Sequence, residues 1–218
     1  MITIAEAVEE IVTNSPLLED CISKGIVNYS SLARSIKPQI EEKVFKTIQD
    51  GAIVMALKRF SKTIQANTSQ IKHIFEKDPD MIVRSHLVEY TIANSATLIE
   101  KHRLFFNKVG HEHKYFFIIT QGVFESAMVI SDELKMLVND NFADEKIISL
   151  IEGLSSITIQ LPPENVTTPG LYGHILKTLG WEGINIIDVA STATEFTLIL
   201  KDQDVDRAFS AFKKLFRS

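Results

Sequence analysis

The sequence has little of what would tie a protein to a membrane, a disulfide scaffold or a polyanion. Cys21 is the single cysteine in 218 residues, so no disulfide framework can form and a reducing, cytoplasmic setting is expected. No apolar run approaches the roughly 20 residues of a membrane span, so no membrane partner is expected. The first residues, Met1 to Glu6, carry an acid and no basic region, so no secretory leader is expected in them. A net charge of −5 and a pI near 5.7 exclude bulk polycation binding to nucleic acid but leave a local basic patch open. Catalytic signatures are missing too. There is no Gly-Lys-Ser or Gly-Lys-Thr phosphate loop, no Gly-x-Ser-x-Gly elbow and no dinucleotide-binding glycine triplet after a strand. The expectation is therefore a non-enzyme without a cofactor.

What is present describes an ordinary globular chain. Apolar residues make up 45%, charged residues 23%, and mean hydropathy is +0.08, enough to bury real cores. Residues 1–62 have helical periodicity. Thr3 caps a helix with Ile4, Val8, Ile11 and Val12 on one face. Pro16 starts a second, over 17–24, which Gly25 stops. Asn28 or Ser30 caps a third carrying Leu32, Ala33 and Ile36. Pro38 begins a fourth with Ile40, Val44 and Ile48, and Asp50-Gly51 precedes a fifth over 52–64.

Charge is uneven along these helices. Residues 1–24 hold one lysine against five acids, while 25–62 hold seven basic residues against three acidic. Short helices, a glycine turn and one basic face resemble a helix-turn-helix DNA-binding domain, with Cys21 a small residue four before the turn glycine. The turn is longer than the usual one, and Ser31 stands where an apolar residue is usual. The candidate DNA contacts are Arg34, Lys37, Lys58 and Arg59. The competing reading is a packing or dimerisation cap whose lysines form its solvated face.

Residues 65–82 turn polar and read as a linker with a helical turn around Ile71. Beyond them a repeat emerges at an offset of about 70 residues, where Glu125 falls over Glu195, Asp132 over Asp202, Ser85 over Ser155 and Gly110 over Gly180. Each unit reads strand, helix, strand, strand, helix. The first places these at 87–92, 96–109, 115–120, 125–131 and a helical region over 133–154. The second has them at 157–161, 170–179, 184–191, 195–201 and 205–216. The fold class is therefore α+β: an all-helical start (1–64), the linker (65–82) and two ferredoxin-like βαββα units (83–153 and 154–218).

The strings Ile157-Thr158-Ile159-Gln160-Leu161, Thr168-Pro169-Gly170-Leu171, Gly183-Ile184-Asn185-Ile186 and Glu195-Phe196-Thr197-Leu198 resemble an ACT domain. More narrowly, they resemble the tandem ACT regulatory region of aspartate kinases. The resemblance covers 155–216 well and 85–154 mainly through the repeat, and it does not reach the N-terminal helices. Both units stop at the second helix, without the usual fourth strand. Either strands are exchanged between units, as in aspartate kinases, or the sheet edge is truncated.

The resemblance implies an amino-acid effector across an ACT–ACT interface, with Asn165, Thr168, Pro169, Gly170, Leu171, Ile184 and Asn185 as the candidate site. Physically, Pro169 fixes φ before the helix, Gly170 admits a close backbone approach, and the first turn's free N–H groups favour a carboxylate. A plain tight turn would use the same two residues. In the first unit the offset places Ile99-Glu100 over Pro169-Gly170 and His113 over Gly183, so that unit is expected to be structural or to read another ligand. His111-Glu112-His113 lacks further ligands by spacing, and no metal is expected.

The leading expectation is a non-enzymatic sensor whose ACT-like pair binds a small metabolite, an amino acid, and whose helical domain passes the state on, with DNA as one candidate receiver. The alternatives are an orphan subunit docking on a biosynthetic enzyme and a ligand-free dimerisation module. The amino-acid kinase domain that precedes aspartate-kinase ACT units has no counterpart in these residues. Homodimerisation is expected, since exposed ACT sheet edges are often completed by a second chain.

Overall fold

Thr3 opens the first helix with a reciprocal cap: its hydroxyl accepts from the Glu6 amide at 3.2 Å while the Glu6 carboxylate accepts from the Thr3 amide at 2.7 Å. In the computed structural model, which describes residues 2–76, 78–110 and 114–217, this helix is α1 (Ile4–Thr13). α2 (Pro16–Ser23) ends where Gly25, at φ 68°, lets the Ile26 and Gly25 amides reach the Cys21 and Ile22 carbonyls. Asn28 then caps α3 (Tyr29–Val44), accepting from the Ser30 and Ser31 amides.

Two expectations fail in this region. Pro38 lies inside α3 instead of opening a new helix, so four helices stand where five were expected. An interior proline costs about 3 kcal/mol, but Ala33, Ile36, Ile40 and Val44 form one buried stripe that runs straight through it. α4 (Asp50–Phe75) also continues through most of the expected linker. No glycine or proline interrupts residues 52–78, and an apolar pattern resumes at Ile71, Ile74 and Phe75.

The chain divides into two compact units, Met1–His73 and Ile74–Ser218. The core of the first is an aliphatic cluster that includes Val8, Val12, Ile22, Ile36, Ile40, Ile53 and Leu57. The second is one six-stranded antiparallel sheet. Its elements are β1 (Met81–Ala93), α5 (Leu98–Val109), β2 (Phe117–Gln121), β3 (Glu125–Ser131), α6 (Lys135–Asn141), β4 (Ile147–Gln160), α7 (Leu171–Trp181), β5 (Asp188–Ser191), β6 (Glu195–Lys201) and α8 (Val205–Leu215). The strand order is β2-β3-β1-β4-β6-β5.

The two central strands supply the missing fourth strands. Residues 87–93 of β1 pair with β3, and residues 89–92 also pair with 147–151 of β4, which completes the first half-sheet as β2-β3-β1-β4. Residues 154–160 of β4 pair with β6, and 156–159 also pair with 81–84 of β1, which completes the second as β5-β6-β4-β1. Each long strand therefore serves both halves. Residues 147–154, expected to be helical, are strand: Ile147, Ile148, Leu150 and Ile151 fit either period, and pairing with β1 decides it.

Leu87 faces Leu154 at the centre, and the register shifts on either side of that pair. The residues at the shifts, His86 (φ 60°) and Gly153 (φ 67°), both adopt left-handed backbone, which costs a non-glycine residue about 1 kcal/mol. On one face of the sheet, Val88, Tyr90 and Ile92 pack against Leu98, Phe105 and Val109 of α5 and Val138 of α6. Leu87, Val129, Leu154 and Ile199 form a separate cluster with no helical residue in it. Glu89 lies on that helix-free face by strand alternation, only 7% exposed, and one of its carboxylate oxygens has no partner. Burial, reinforced by Asp188, pushes its pKa up to about 7.

Candidate functional site

The connection from β4 to α7 is ten residues long, where the matching connection from β1 to α5 is four. The extra length forms a 3-10 turn over Pro163–Thr167 and then the Pro169-Gly170 corner. Gly170 is the N-cap of α7 with φ 82°, a left-handed conformation that only glycine adopts without strain, and its carbonyl accepts from the His174 amide at 3.0 Å. The first-turn amides before His174 therefore have no intrahelical acceptor.

A pocket of about 510 Å³ opens beside this corner, a volume suited to one small molecule. Asn165, Thr168, Gly170 and Leu171 from the expected site line it, together with Val166, Tyr172, Gly173, Thr192 and Ala193. Asn165 is 4% exposed and braces the wall. Its amide donates to the Pro162 carbonyl at 2.8 Å and the Ala193 carbonyl at 2.7 Å, and its side-chain oxygen accepts from the Tyr172 hydroxyl at 3.0 Å. Those bonds hold the loop before α7 against the β5–β6 hairpin. The Tyr172 ring in turn stacks on Phe196, with centroids 4.5 Å apart and planes 11° from parallel. The Thr168 hydroxyl donates to the Glu164 carbonyl at 2.8 Å.

The other expected residues lie elsewhere. Pro169 shapes the corner without lining the pocket. Ile184 is buried at the far end of α7, about 15 Å of helix away. There Gly183, at φ 67°, lets the Ile184 amide reach the Leu179 carbonyl, which stops the helix. Asn185 follows it, exposed, and β5 begins only at Asp188. Val166, Tyr172, Gly173, Thr192 and Ala193 line the pocket without having been expected there. The aromatic two residues after Gly170 was the one available signal, because the hairpin residues arrive only through the Asn165 bonds.

The first half differs at the same place. α5 begins at Leu98, so Ala96-Thr97, and not Ile99-Glu100, stand where Pro169-Gly170 do. The 70-residue offset holds for β3 and β6, which start at Glu125 and Glu195, but the unequal connections shift the helices by three more. Glu100 sits in the first turn of α5, held by Arg103 from below, and that hydrogen bond keeps its carboxyl under the usual range. Asn94 does the bracing there. Its amide donates to the Gly122 carbonyl at 2.9 Å and its oxygen accepts from the Ser126 hydroxyl at 2.8 Å. His111, Glu112 and His113 lie outside the described residues. Among the described residues no His, Cys, Asp or Glu cluster could hold a metal, and no helix is long and apolar enough to cross a membrane.

In the helical unit, Arg34, Lys58 and Arg59 are exposed. Lys37 instead pairs with Asp50 at 2.9 Å and lies 4.0 Å from Glu41. That hydrogen bond holds the Asp50 carboxyl below the usual range and raises the Lys37 ammonium. Lys43 is likewise bound to Glu10 at 2.7 Å. Part of the basic surplus thus neutralises the unit's own acids.

No family model matches the sequence, and no curated protein matches it either. Solved structures do. The ligand-free regulatory subunit of aspartate kinase from Thermus thermophilus superposes with a TM-score of 0.52 at 14% identity, over 62% of this chain and 96% of that one. Aspartate kinase from Clostridium acetobutylicum gives 0.52 at 13%, over 62% of this chain and 34% of that one. The Synechocystis enzyme gives 0.53 at 16%, over 63% and 27%. This chain thus spans about a third of the Clostridium enzyme's length. At these identities the likeness is one of fold: about three fifths of the chain carries the paired ACT fold of aspartate-kinase regulatory regions.

Proposed function

We propose that this chain is a non-enzymatic regulatory protein that binds a small metabolite, an amino acid, at the β4–α7 corner and transmits its state through the helical unit. The observation that carries this reading is the 510 Å³ pocket built around left-handed Gly170. Its first-turn amides suit a carboxylate, and the helix dipole adds to the attraction. The fold shared with aspartate-kinase regulatory regions supports a ligand-responsive role. A ligand shifts the protein between states only by its differential affinity for them, of the order of 1–3 kcal/mol. A homodimer in the cytoplasm is the assembly this reading carries.

Two outputs are open to the helical unit. In the first, Arg34, Lys37, Lys58 and Arg59 touch DNA and the effector sets the spacing of two such units. The second is docking on a partner enzyme. It is favoured by the internal pairing of Lys37 and Lys43 and by exposed Leu17, Ile26, Met55 and Phe45, the last 92% exposed.

A thermal-shift screen against the twenty amino acids tests the sensor. A ligand at 100 times its Kd should contribute about 2.7 kcal/mol, visible as a higher Tm and lost in Gly170→Glu. Silence across the panel overturns the reading. Salt-dependent retention on DNA fragments, lost in an Arg34→Glu/Lys58→Glu double variant, would select DNA over docking.

A further inference from the structure

We propose that the pocket beside α7 favours an amino acid with an uncharged, aliphatic side chain over lysine, arginine, aspartate and glutamate. This rests on the functional reading above and sharpens it. None of the residues lining the pocket carries a charged side chain. Its walls are Val166, Leu171, Ala193 and the Tyr172 ring, and that ring is fixed in place by its stack on Phe196.

The polar groups on the wall are largely committed already. Asn165 spends both amide hydrogens on carbonyls, and its oxygen accepts from Tyr172. The Thr168 hydroxyl donates to the Glu164 carbonyl, and the Thr192 oxygen accepts from the Glu195 amide at 3.2 Å. Among the side chains, what remains is one hydroxyl donor on Thr192 and acceptor capacity on Thr168 and Tyr172, while the first-turn amides of α7 are left for the ligand's own carboxylate. None of these hydroxyls carries a charge opposite to a side-chain ammonium or carboxylate, so such a group gains no ion pair on these walls. Aliphatic carbon, by contrast, fits walls of the same character. The Thr168 and Thr192 hydroxyls can also pair with a side-chain hydroxyl such as threonine's.

Isothermal titration calorimetry on the full chain, with valine, leucine, threonine, lysine and aspartate as probes, tests this. Valine, leucine or threonine should bind at least about tenfold more tightly than lysine or aspartate. Ala193→Asp, an exposed hairpin substitution, should weaken the aliphatic ligand and strengthen lysine. Val166→Glu, at a second exposed lining residue, should do the same and guards against a folding defect in the first variant. Lysine or aspartate binding as tightly as the aliphatic probes overturns the selectivity while leaving the sensor intact. Aliphatic binding untouched by both variants places the ligand elsewhere and overturns the assignment of the pocket. Heat from none of the five, together with a silent thermal-shift panel, overturns the sensor itself.

Discussion

The two halves of the sheet start from the same plan and diverge where chain length changes. The first joins its opening strand to its helix in four residues braced by Asn94, and the second uses ten braced by Asn165. Both asparagines tie that connection to the hairpin beside it. Only the longer connection has room for a left-handed glycine corner with a pocket next to it. A second divergence lies at equivalent points of the central strands, where the first half buries Glu89 and the second buries Ser156. A repeat can therefore keep its frame while the two copies build different corners at the same place.

The largest expected effect tests whether the halves are mechanically one. Phe105→Ala in the first half and Phe212→Ala in the second each empty a fully buried site and should cost about 3–5 kcal/mol. Because β1 and β4 belong to both halves, hydrogen exchange should show the two strands losing protection together in either variant. Loss confined to the mutated half would break the comparison.

Glu89 comes next. Between pH 4.5 and about 7 its carboxyl is protonated in the folded state and ionised in the unfolded one. The folded state binds more protons there, so stability falls as pH rises through that window, by up to about 3 kcal/mol at pH 8. Glu89→Gln should recover most of that at pH 8 and change little at pH 4, as read by urea unfolding at the two pH values. Equal effects at both would show that the carboxyl is ordinary.

Asparagine for asparagine, Asn165→Ala should cost about 2 kcal/mol and abolish the ligand-induced rise in Tm. Asn94→Ala should cost a similar amount or slightly less and leave that rise intact. Smallest of all, Gly170→Ala should cost about 1 kcal/mol through its left-handed backbone, while Thr97→Ala, at the matching helix start, should stay within about 0.5 kcal/mol. Equal costs at those two positions would remove the distinction between the corners.

Much of this frame was legible in the sequence. β3 and β6 were read at the observed bounds, since Glu125–Ser131 and Glu195–Lys201 are apolar runs between turn residues. Thr3 and Gly25 also announce their caps, and the structure decides for Asn28 where the sequence leaves Asn28 or Ser30 open. What local pattern could not fix was pairing. The run from Ile147 to Leu154 satisfies a helical stripe as well as a strand, and only β1 selects between them. The fixed 70-residue offset concealed the unequal connections and so paired Glu100 with Gly170. Within the site, the Pro-Gly corner could be read directly, whereas Ala193 reaches Asn165 from 28 residues away through a bond no local pattern encodes.

The shared central strands also bear on how such a chain changes over generations. A break anywhere between residues 94 and 146 strips the fourth strand from both halves at once. Losing either copy would leave the other's half-sheet one strand short, so the duplication works as a ratchet. The half without the glycine corner still closes its neighbour's sheet, which leaves its own surface free to drift toward a different task.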